Sequence, residues 1–380
     1  MLDKQLVKFG DICREVKLST KNPFVDGYDR FIGLEHLDSG SLKIKRWGVI
    51  SDDNPSFTRV FKKGHLLFGK RRPYLKKAAI AEFDGICSSD IIVIEPKNEM
   101  LRTDFFPYIF LYESIWNKAI NTSSGSLSPR TKFKSLESLT LSLPASNRQK
   151  KLAYIFGEIT RNQSIIEELL SALKRVKKCI VEKFNRGEYS NSKIFKESLI
   201  GRIPSNWEAK TLGSLFNNKD NLRIPVKSSD RSKIQGNIPY YGASGIIDYV
   251  DKVIFNENLL LLSEDGANLV ERKTPVAFKV SGPCFVNNHA HVYGDKGIYE
   301  IELAVELIEN MDLSNYITGT AQPKLNKAKA DGIFLPVPPE NERKIILEQL
   351  ENINNLIVLL GKHQLKHGNL LKSIINRELS

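Results

Sequence analysis

The densest cluster of charged side chains lies at residues 70–77, which read Lys-Arg-Arg-Pro-Tyr-Leu-Lys-Lys. Cations at this density neutralise phosphate groups, and the tyrosine among them offers a ring on which a base can stack. The cluster follows a strand-like apolar run at residues 66–68 and a glycine. We therefore expect it on a connecting loop, where recognition residues are usually carried. Composition alone would fit an ordinary solvated surface equally well.

An internal repeat identifies the positions that correspond to this cluster. Two halves of about 190 residues each match at a spacing of 194 positions. The matched pairs include Gly125 and Gly319, Pro129 and Pro323, Leu141 and Leu335, and Pro144 and Pro338. Upstream the register slips, because Gly10 best matches Gly213. The chain therefore consists of two homologous halves.

The loop that carries the basic cluster differs in chemistry between the two halves. The second half reads Leu-Ser-Glu-Asp-Gly-Ala-Asn at residues 262–268, which is acidic and polar. Two copies of one fold that differ in a single loop are expected to bind two different ligands of the same chemical class. Two DNA half-sites fit this expectation, because carboxylates accept from cytosine, amides pair with adenine, and Arg and Lys pair with guanine.

A long periodic stretch follows each mixed segment, starting after Pro144 and Pro338. There the apolar period changes from about two to about three and a half, which predicts one long helix in each half. The predicted seam residues are Leu152, Ile159, Ile166, Leu173, Ile180, Ile346, Ile353, Leu360 and Ile374. Their predicted companions, three residues further on, include Ile155, Leu169, Val176 and Leu356.

The length of these helices predicts the architecture. A helix over residues 148–186 would be roughly 58 Å long, and its apolar stripe needs a partner outside its own turns. We predict an α+β fold with two homologous mixed α/β domains, separated by a pair of long antiparallel coiled-coil helices. The segments are 1–146 for the first domain, 147–187 for the first helix, 188–338 for the second domain and 339–380 for the second helix. The alternative is that each helix packs on its own domain as an ordinary amphipathic helix.

Composition and charge narrow the class of protein. The 380 residues carry a formal charge of +12, with 41% hydrophobic and 26% charged residues. Residues 1–189 hold 33 basic and 22 acidic side chains, and so account for +11 of that charge. No apolar run approaches the roughly 18 residues of a membrane span, and no secretory signal opens the chain, so we expect a cytoplasmic protein without a membrane partner. The four cysteines lie too far apart for a zinc site, and we expect no metal.

Seven runs of residues carry a resemblance to a known family. They lie at 32–37 (Ile-Gly-Leu-Glu-His-Leu), 64–75, 84–90 (Asp-Gly-Ile-Cys-Ser-Ser-Asp), 238–243 (Ile-Pro-Tyr-Tyr-Gly-Ala), 264–268, 286–291 (Val-Asn-Asn-His-Ala-His) and 319–326 (Gly-Thr-Ala-Gln-Pro-Lys-Leu-Asn). Together with the duplicated order of domain and helix, these runs make the chain resemble the specificity subunit of type I restriction-modification systems. The resemblance covers essentially the whole chain.

This resemblance implies a non-catalytic subunit with two target-recognition domains, each reading one half of a bipartite double-stranded DNA sequence. It implies that the helices fix the gap and dock two methyltransferase subunits, which modify adenine. It also implies that two motor-nuclease restriction subunits can join the complex. S-adenosylmethionine, ATP and magnesium are expected on those partner subunits only, so no cofactor is expected on this chain.

Candidate DNA-binding residues follow from the repeat and the resemblance. Predicted phosphate contacts are Lys70, Arg71, Arg72, Lys76, Lys77 and Arg130 in the first domain, and Arg272 and Lys324 in the second. Predicted base contacts are Tyr74, Tyr241, Asn268, Asn288 and Gln322. The first half has Leu127 and Ser128 where the second has Ala321 and Gln322. Whether this loop makes the same contacts in both halves is left open by the sequence.

Two other functions remain to be weighed. The run at residues 53–57, Asp-Asn-Pro-Ser-Phe, is similar to the motif of adenine methyltransferases, but its second proline is missing and no glycine-rich cofactor loop accompanies it. A non-catalytic protein-interaction scaffold, with two binding domains on a rod, is the stronger alternative. The second domain favours it, since residues 190–338 hold 17 basic and 17 acidic side chains and no net charge.

Overall fold

A computed structural model, which describes residues 4–319 and 322–380, assigns the two halves of the repeat to two units. The first unit contains the described residues of Met1–Glu168 together with Leu360–Ser380, and the second contains those of Leu169–Leu359. Each unit thus combines one domain with parts of both long helices. No helix within the described ranges is long and apolar enough to cross a membrane.

The first domain is built from short strands joined by short helices. Its strands are β1 (Lys4–Lys8), β2 (Cys13–Val16), β3 (Arg30–Ile32), β4 (Gly48–Val49), β5 (Arg59–Phe61), β6 (Leu66–Gly69), β7 (Ala78–Ile80), β8 (Gly85–Cys87), β9 (Ile91–Pro96) and β10 (Thr140–Pro144). Its α-helices are α1 (Phe9–Ile12), α2 (Ile50–Asp53), α3 (Glu113–Asn121) and α4 (Phe133–Glu137). The strands form sheets in the orders β1-β10, β2-β9-β6-β7 and β4-β3-β8-β5, in which β3 and β8 are parallel.

Strand β6 explains why the apolar run before the basic cluster is continuous. Alternate side chains of a strand point to opposite faces, and both faces of this central strand are covered. Leu66 and Phe68 pack into a core with α1, α3 and α4. Leu67 faces the opposite core, with Ile32 and Phe61 from the other four-stranded sheet. The domain is therefore layered as helices, sheet and sheet.

The second domain has a closely similar set of elements. Its strands are β11 (Phe195–Ser198), β12 (Gly201–Pro204), β13 (Glu208–Thr211), β14 (Asn217–Asn218), β15 (Gln235–Gly242), β16 (Gly245–Val250), β17 (Phe255–Asn256), β18 (Leu259–Ser263), β19 (Ala277–Val280), β20 (Pro283–Val286), β21 (Ala290–Gly294) and β22 (Phe334–Val337). The sheet orders are β11-β12, β13-β22, β14-β21-β18-β19 and β16-β15-β20-β17.

The sheets of the two domains correspond strand by strand. The sheets of β13-β22, β14-β21-β18-β19 and β16-β15-β20-β17 repeat those of β1-β10, β2-β9-β6-β7 and β4-β3-β8-β5, and β15 and β20 are parallel like β3 and β8. The hairpin of β11 and β12 is added in the second half. The repeat predicted from the sequence is thus a repeat of topology.

The long helices are α5 (Ser146–Asn185) and α11 (Glu340–Leu379), whose first and last residues are each 194 positions apart. The remaining α-helices of the second half are α6 (Leu212–Leu215), α7 (Ser228–Arg231), α8 (Asn268–Glu271), α9 (Ile301–Asn310) and α10 (Lys327–Asp331). Gly187 follows the end of α5 with a φ of +72°, the left-handed conformation that commonly ends a helix.

Within each unit the two long helices run antiparallel. In the first unit, Leu152 and Phe156 near the start of α5 share a core with Leu371 and Ile375 near the end of α11. In the second unit the order is reversed, because the end of α5 packs against the start of α11. The ends of both helices also join the domain cores, so each helix pair is continuous with its domain's interior.

The seam of the helix pair differs in one respect from the prediction. All the predicted seam residues are buried or half-buried, but their predicted companions are exposed, including Ile155, Val176 and Leu356. The inward companions lie one residue later, as Phe156 and Leu350 do. A seam alternates in steps of three and four, and apolar residues at both neighbouring positions made the two alternations equivalent in the sequence.

Two short helices follow one another before the loop of the first domain's C-terminal part. They are a 3₁₀-helix (Phe106–Leu111) and α3. Tyr112 separates them because its backbone is extended, with φ −70° and ψ 122°. Pro107, in the first turn, is compatible with a helix start. Strand β3 similarly ends at Ile32, shortly before a 3₁₀-helix (Leu34–His36).

Candidate nucleic-acid interface

Three chain segments of the first domain meet at the end of β6. They are the basic cluster of residues 70–77, the turn of residues 88–90 before β9 and the loop of residues 124–131, and we call their meeting point the first junction. The backbone hydrogen bonds that join them are Lys70 N to Asp90 O (2.9 Å), Arg72 N to Pro129 O (2.7 Å), Thr131 N to Lys70 O (3.0 Å), Ser124 N to Arg130 O (3.1 Å) and Arg130 N to Ser124 O (2.9 Å). Gly125 lies in the last loop with a φ of +113°, which a side chain would strain.

The carboxylate of Asp90 is the centre of the first junction. Arg130 donates to it from Nε (2.7 Å) and Nη2 (3.2 Å), and Nη1 of Arg71 lies 3.6 Å from its Oδ2. The hydrogen bond from Arg130 holds the pKa of Asp90 below its usual value, against the opposing effect of burial. Because one carboxylate faces two guanidinium groups, the junction keeps a net positive charge.

The other predicted cations of the cluster differ in how freely they meet solvent. Arg72 and Tyr74 are exposed. Lys76 is paired with Glu113, and Lys77 donates from Nζ to a backbone oxygen in the 3₁₀-helix of residues 34–36 (2.7 Å). Lys70 is half-buried, and its burial lowers the pKa of its ammonium group. Of the predicted phosphate ligands in this cluster, Arg72 is the one most open to DNA.

The second domain repeats the junction at the end of β18. The corresponding backbone hydrogen bonds are Glu264 N to His289 O (2.9 Å), Gly266 N to Pro323 O (3.1 Å), Leu325 N to Glu264 O (2.7 Å), and Thr318 N to Lys324 O and Lys324 N to Thr318 O (2.8 Å each). Gly319 has a φ of +82°, and its counterpart Gly125 also has a positive φ. We call this the second junction. Thr320 and Ala321 of the matched sequence run lie outside the described residues.

The side chains of the second junction carry different charges on the same backbone. His289 places Nδ1 2.9 Å from both carboxylate oxygens of Asp265. Nζ of Lys324 lies 3.3 Å from Glu264, and about half of the Lys324 side chain is exposed. The equivalent residues, first domain before second, are Lys70 and Glu264, Arg71 and Asp265, Asp90 and His289, and Arg130 and Lys324. Each domain therefore presents its own pattern of donors and acceptors from one shared framework.

Residues 1–175 and 204–367 match the family model of the type I restriction modification DNA specificity domain. The chain belongs to this family. The resemblance and the fold class expected from the sequence are thereby confirmed. Each matched range covers most of one domain described above together with most of the long helix that follows it.

Individual relatives agree with the family assignment. The type I restriction enzyme MjaVIII specificity subunit of Methanocaldococcus jannaschii is 24% identical over 416 aligned positions, which cover 98% of this chain and 91% of that protein. A candidate type I restriction enzyme specificity subunit of Haemophilus influenzae is 34% identical over 166 residues, which are 44% of this chain and 42% of that protein. The crystal structure of the type I restriction-modification S subunit from M. genitalium has the same fold, with a TM-score of 0.59 at 12% identity, and the match covers 100% of this chain and 96% of that one.

Two residues predicted to contact DNA in the second specificity domain have partners inside the protein. The Asn268 side chain donates to Thr274 O and accepts from Thr274 N, both at 2.9 Å. The guanidinium group of Arg272 donates to backbone oxygens at the end of α9, including that of Met311 at 3.0 Å. These contacts hold both side chains inside the protein, and the DNA contacts of Asn268 and Arg272 stay predictions.

The other predicted residues of the second domain are placed differently. Tyr241 is half-buried and packs 5.9 Å from the ring of Phe278, centroid to centroid. Asn288 and Gln322 are exposed, and both flank the second junction. Of the residues predicted to read bases in this domain, Asn288 and Gln322 are the exposed ones, with the exposed Lys324 beside them.

Sequence reasoning missed a buried polar network below the second junction. Nδ1 of His291 lies 2.6 Å from Asp220, and its Nε2 lies 2.7 Å from the backbone oxygen of Leu325. Arg223 donates to Glu264 (2.7 Å). Both ring nitrogens of His291 thus lie within hydrogen-bond distance of an oxygen atom. The network ties the loop that ends at Leu325 to β21.

Asp90 was also missed as a functional residue. A signal for it exists, since it immediately precedes the apolar run of β9 and belongs to one of the runs that carried the family resemblance. Its counterpart His289 lies 199 positions later rather than 194, because the second half has extra residues before β21. The constant spacing therefore pointed to the wrong partner in this stretch.

The helix pair of each unit exposes apolar side chains. In the first unit these include Tyr154, Ile155 and Leu365, and in the second Val176 and Leu356. Between 42% and 72% of each of these side chains is accessible. Such residues lie outside the buried seam, so the structure leaves them available to a partner.

Proposed function

We propose that this chain is the non-catalytic, sequence-specific DNA-binding subunit of a type I restriction-modification complex. Each specificity domain reads one half of a bipartite target in double-stranded DNA, and the helices fix the gap between the halves. The observation that carries this proposal is the pair of junctions, in which the same backbone hydrogen bonds hold side chains of different charge. A shared framework with exchanged side chains is what two recognition sites of one class require.

Electrostatics supports DNA as the ligand of the first domain. Residues 1–146 hold 23 basic and 17 acidic side chains, and the exposed Arg72 lies at the junction. Phosphate contacts supply most of the sequence-independent affinity for DNA, whereas contacts to base edges supply the specificity. The second domain has no net charge, so we expect its complex with DNA to depend more on neutral hydrogen bonds and on partner subunits.

The exposed apolar residues of the helices support a second part of the proposal, the docking of two methyltransferase subunits. Exposed apolar side chains that are neighbours, such as Tyr154 and Ile155, are typical of sites where proteins associate. In this account the partners hold S-adenosylmethionine and methylate adenine. ATP and magnesium belong to two motor-nuclease restriction subunits where these join the complex. The specificity chain determines where on the DNA the complex acts, and it catalyses no step itself.

Selection from a random library of DNA duplexes tests this function. The full chain is combined with methyltransferase subunits of the same system, and the duplexes that the complex retains are sequenced. We expect two conserved blocks of bases separated by a gap of constant length. Methyltransferase subunits without the specificity chain are the control and should enrich no motif. Enrichment of one undivided block, or of none, would contradict the proposal.

A further inference from the structure

The guanidinium group of Arg130 is held along one edge and open along another. Its Nε and Nη2 take the two carboxylate oxygens of Asp90, at 2.7 and 3.2 Å. Nη1 makes only a long contact to the backbone oxygen of Ser128, at 3.4 Å. A guanidinium group is planar, so this arrangement directs the edge formed by Nη1 and Nη2 away from Asp90. With 46% of the side chain accessible, that edge is open to a ligand.

Several contacts fix the position of this group. The backbone of Arg130 is bonded to Ser124 in both directions, at 2.9 and 3.1 Å. The Asp90 side chain is largely buried. Its backbone N–H is also held, because it donates to Ser88 Oγ at 3.2 Å. Arg71 lies on the other side of the carboxylate and donates to Ser128 Oγ at 3.1 Å. Arg130 is therefore presented in one orientation before any ligand arrives.

Two parallel N–H donors in a fixed plane match one DNA base better than the others. In the major groove, guanine offers two acceptors, O6 and N7, side by side, whereas adenine offers an acceptor and a donor. A phosphate also accepts a guanidinium group, but it carries no sequence information. A carboxylate that orients the arginine reduces the freedom lost on binding, and so favours the contact that depends most on geometry.

The second domain does not repeat this pairing of an arginine with a carboxylate. Lys324 stands at the position of Arg130, and a lysine ammonium group has no planar pair of donors. Lys324 lies 3.3 Å from Glu264, which Arg223 also contacts at 2.7 Å. An arginine held by a carboxylate at this position is therefore found in the first domain and not in the second.

We propose that Arg130 reads a guanine in the half-site of the first specificity domain, and that Asp90 is the residue that positions it. This inference rests on the proposed function and deepens it, because it names one base and the side chain that selects it. It also separates Arg130 from Arg72, which is exposed and contacts phosphate in this account. Arg130 was predicted from the sequence as a phosphate ligand, and the geometry points to a base instead.

The variants Arg130→Lys and Asp90→Asn test this assignment, with Arg72→Lys as the matched control. Arg130→Lys keeps the charge and removes the pair of donors, so it preserves a phosphate contact and abolishes the discrimination of guanine. The complex of the full chain with its methyltransferase subunits is bound to duplexes that differ only at each guanine of the target, where each of the four bases is placed in turn.

We expect the wild-type complex to prefer guanine at one position of one half-site by roughly 5- to 150-fold. Arg130→Lys and Asp90→Asn should both reduce that preference to within a few-fold of none, and Arg72→Lys should leave it intact. The preferences in the other half-site serve as the internal control. Arg130 is exposed and keeps its charge in the lysine variant, so that variant decides the question if Asp90→Asn lowers the unfolding midpoint.

Three results would overturn the inference. They are a first half-site without guanine, an unchanged guanine preference in Arg130→Lys, and an equal loss of affinity for all four bases, which is the signature of a phosphate contact. Failure of the proposed function would look different, because the wild-type complex would then select no two-part target at all.

Discussion

His289 contacts both carboxylate oxygens of Asp265, and this pair stands where the first domain has Asp90 and Arg71. The carboxylate has a different place in each domain. It lies in the turn before β9 in the first domain and in the segment after β18 in the second. The surrounding backbone hydrogen bonds are the same in both domains. A specificity domain can therefore change the groups that it offers to a base without rebuilding its framework.

The ionisation of Asp90 predicts a dependence of stability on pH. The hydrogen bond from Arg130 lowers the pKa of Asp90 in the folded protein, although burial acts in the opposite direction. A carboxyl group with a lowered folded pKa stabilises the protein above its unfolded pKa of about 4, and this contribution is lost as the pH falls through the folded value. Wild type should thus be more stable than Asp90→Asn at pH 7, and the difference should be smaller at about pH 3. Urea unfolding at both pH values measures it, and a difference of equal size at both would contradict the assigned ion pair.

Glu342 predicts a second effect on stability. This carboxylate, at the start of α11, is 1% exposed and accepts hydrogen bonds from Trp207 Nε1 (2.6 Å), Asn206 Nδ2 (2.9 Å) and Asn191 N (3.1 Å). Glu342→Ala leaves these buried donors without their acceptor, which should lower the free energy of unfolding by about 3 kcal/mol. Urea denaturation measures the change. Glu348→Ala, at an exposed position of the same helix, is the control and should change it by less than about 0.5 kcal/mol. Equal effects of the two substitutions would show that the buried contacts contribute nothing.

A buried and an exposed position of the first long helix predict a separation of stability from partner binding. Leu152 is buried in the seam, so Leu152→Ala should lower the free energy of unfolding by about 2–5 kcal/mol. Ile155 is 42% exposed, so Ile155→Ala should cost less than about 1 kcal/mol but weaken the binding of a methyltransferase subunit. Denaturation of the isolated chain and titration calorimetry with the methyltransferase subunit separate the two effects. Unchanged methyltransferase affinity in Ile155→Ala, and in a Tyr154→Ala variant, would place the docking surface elsewhere.

Sequence periodicity and the repeat were sufficient for the architecture, because long-range spacing survives small shifts in register. The helices α5 and α11 begin and end 194 positions apart, as the matched prolines before them indicated. The sequence determined the exact residues of the helix seam less well. Apolar residues at both 155 and 156 left the seam ambiguous by one position, and only the packing in each unit resolves which one is inward.

The candidate site was only partly predictable, for a physical reason. The basic cluster was visible as composition, but the partners that occupy Lys76 and Lys77 come from distant segments. Asp90 and His289 lie in a stretch where the two halves differ in length, so the repeat did not align them. Side chains that act through a partner across the fold leave no local pattern in the sequence.

The methylome of cells that express this chain with its methyltransferase subunits tests the central claim most directly. We expect adenine methylation at a single motif made of two blocks with a constant gap. The substitution Arg130→Lys should change one block and leave the other intact, because Arg130 reads a base in the first half-site and contacts none in the second. Methylation at an undivided motif or at none, or equal changes in both blocks, would contradict the account.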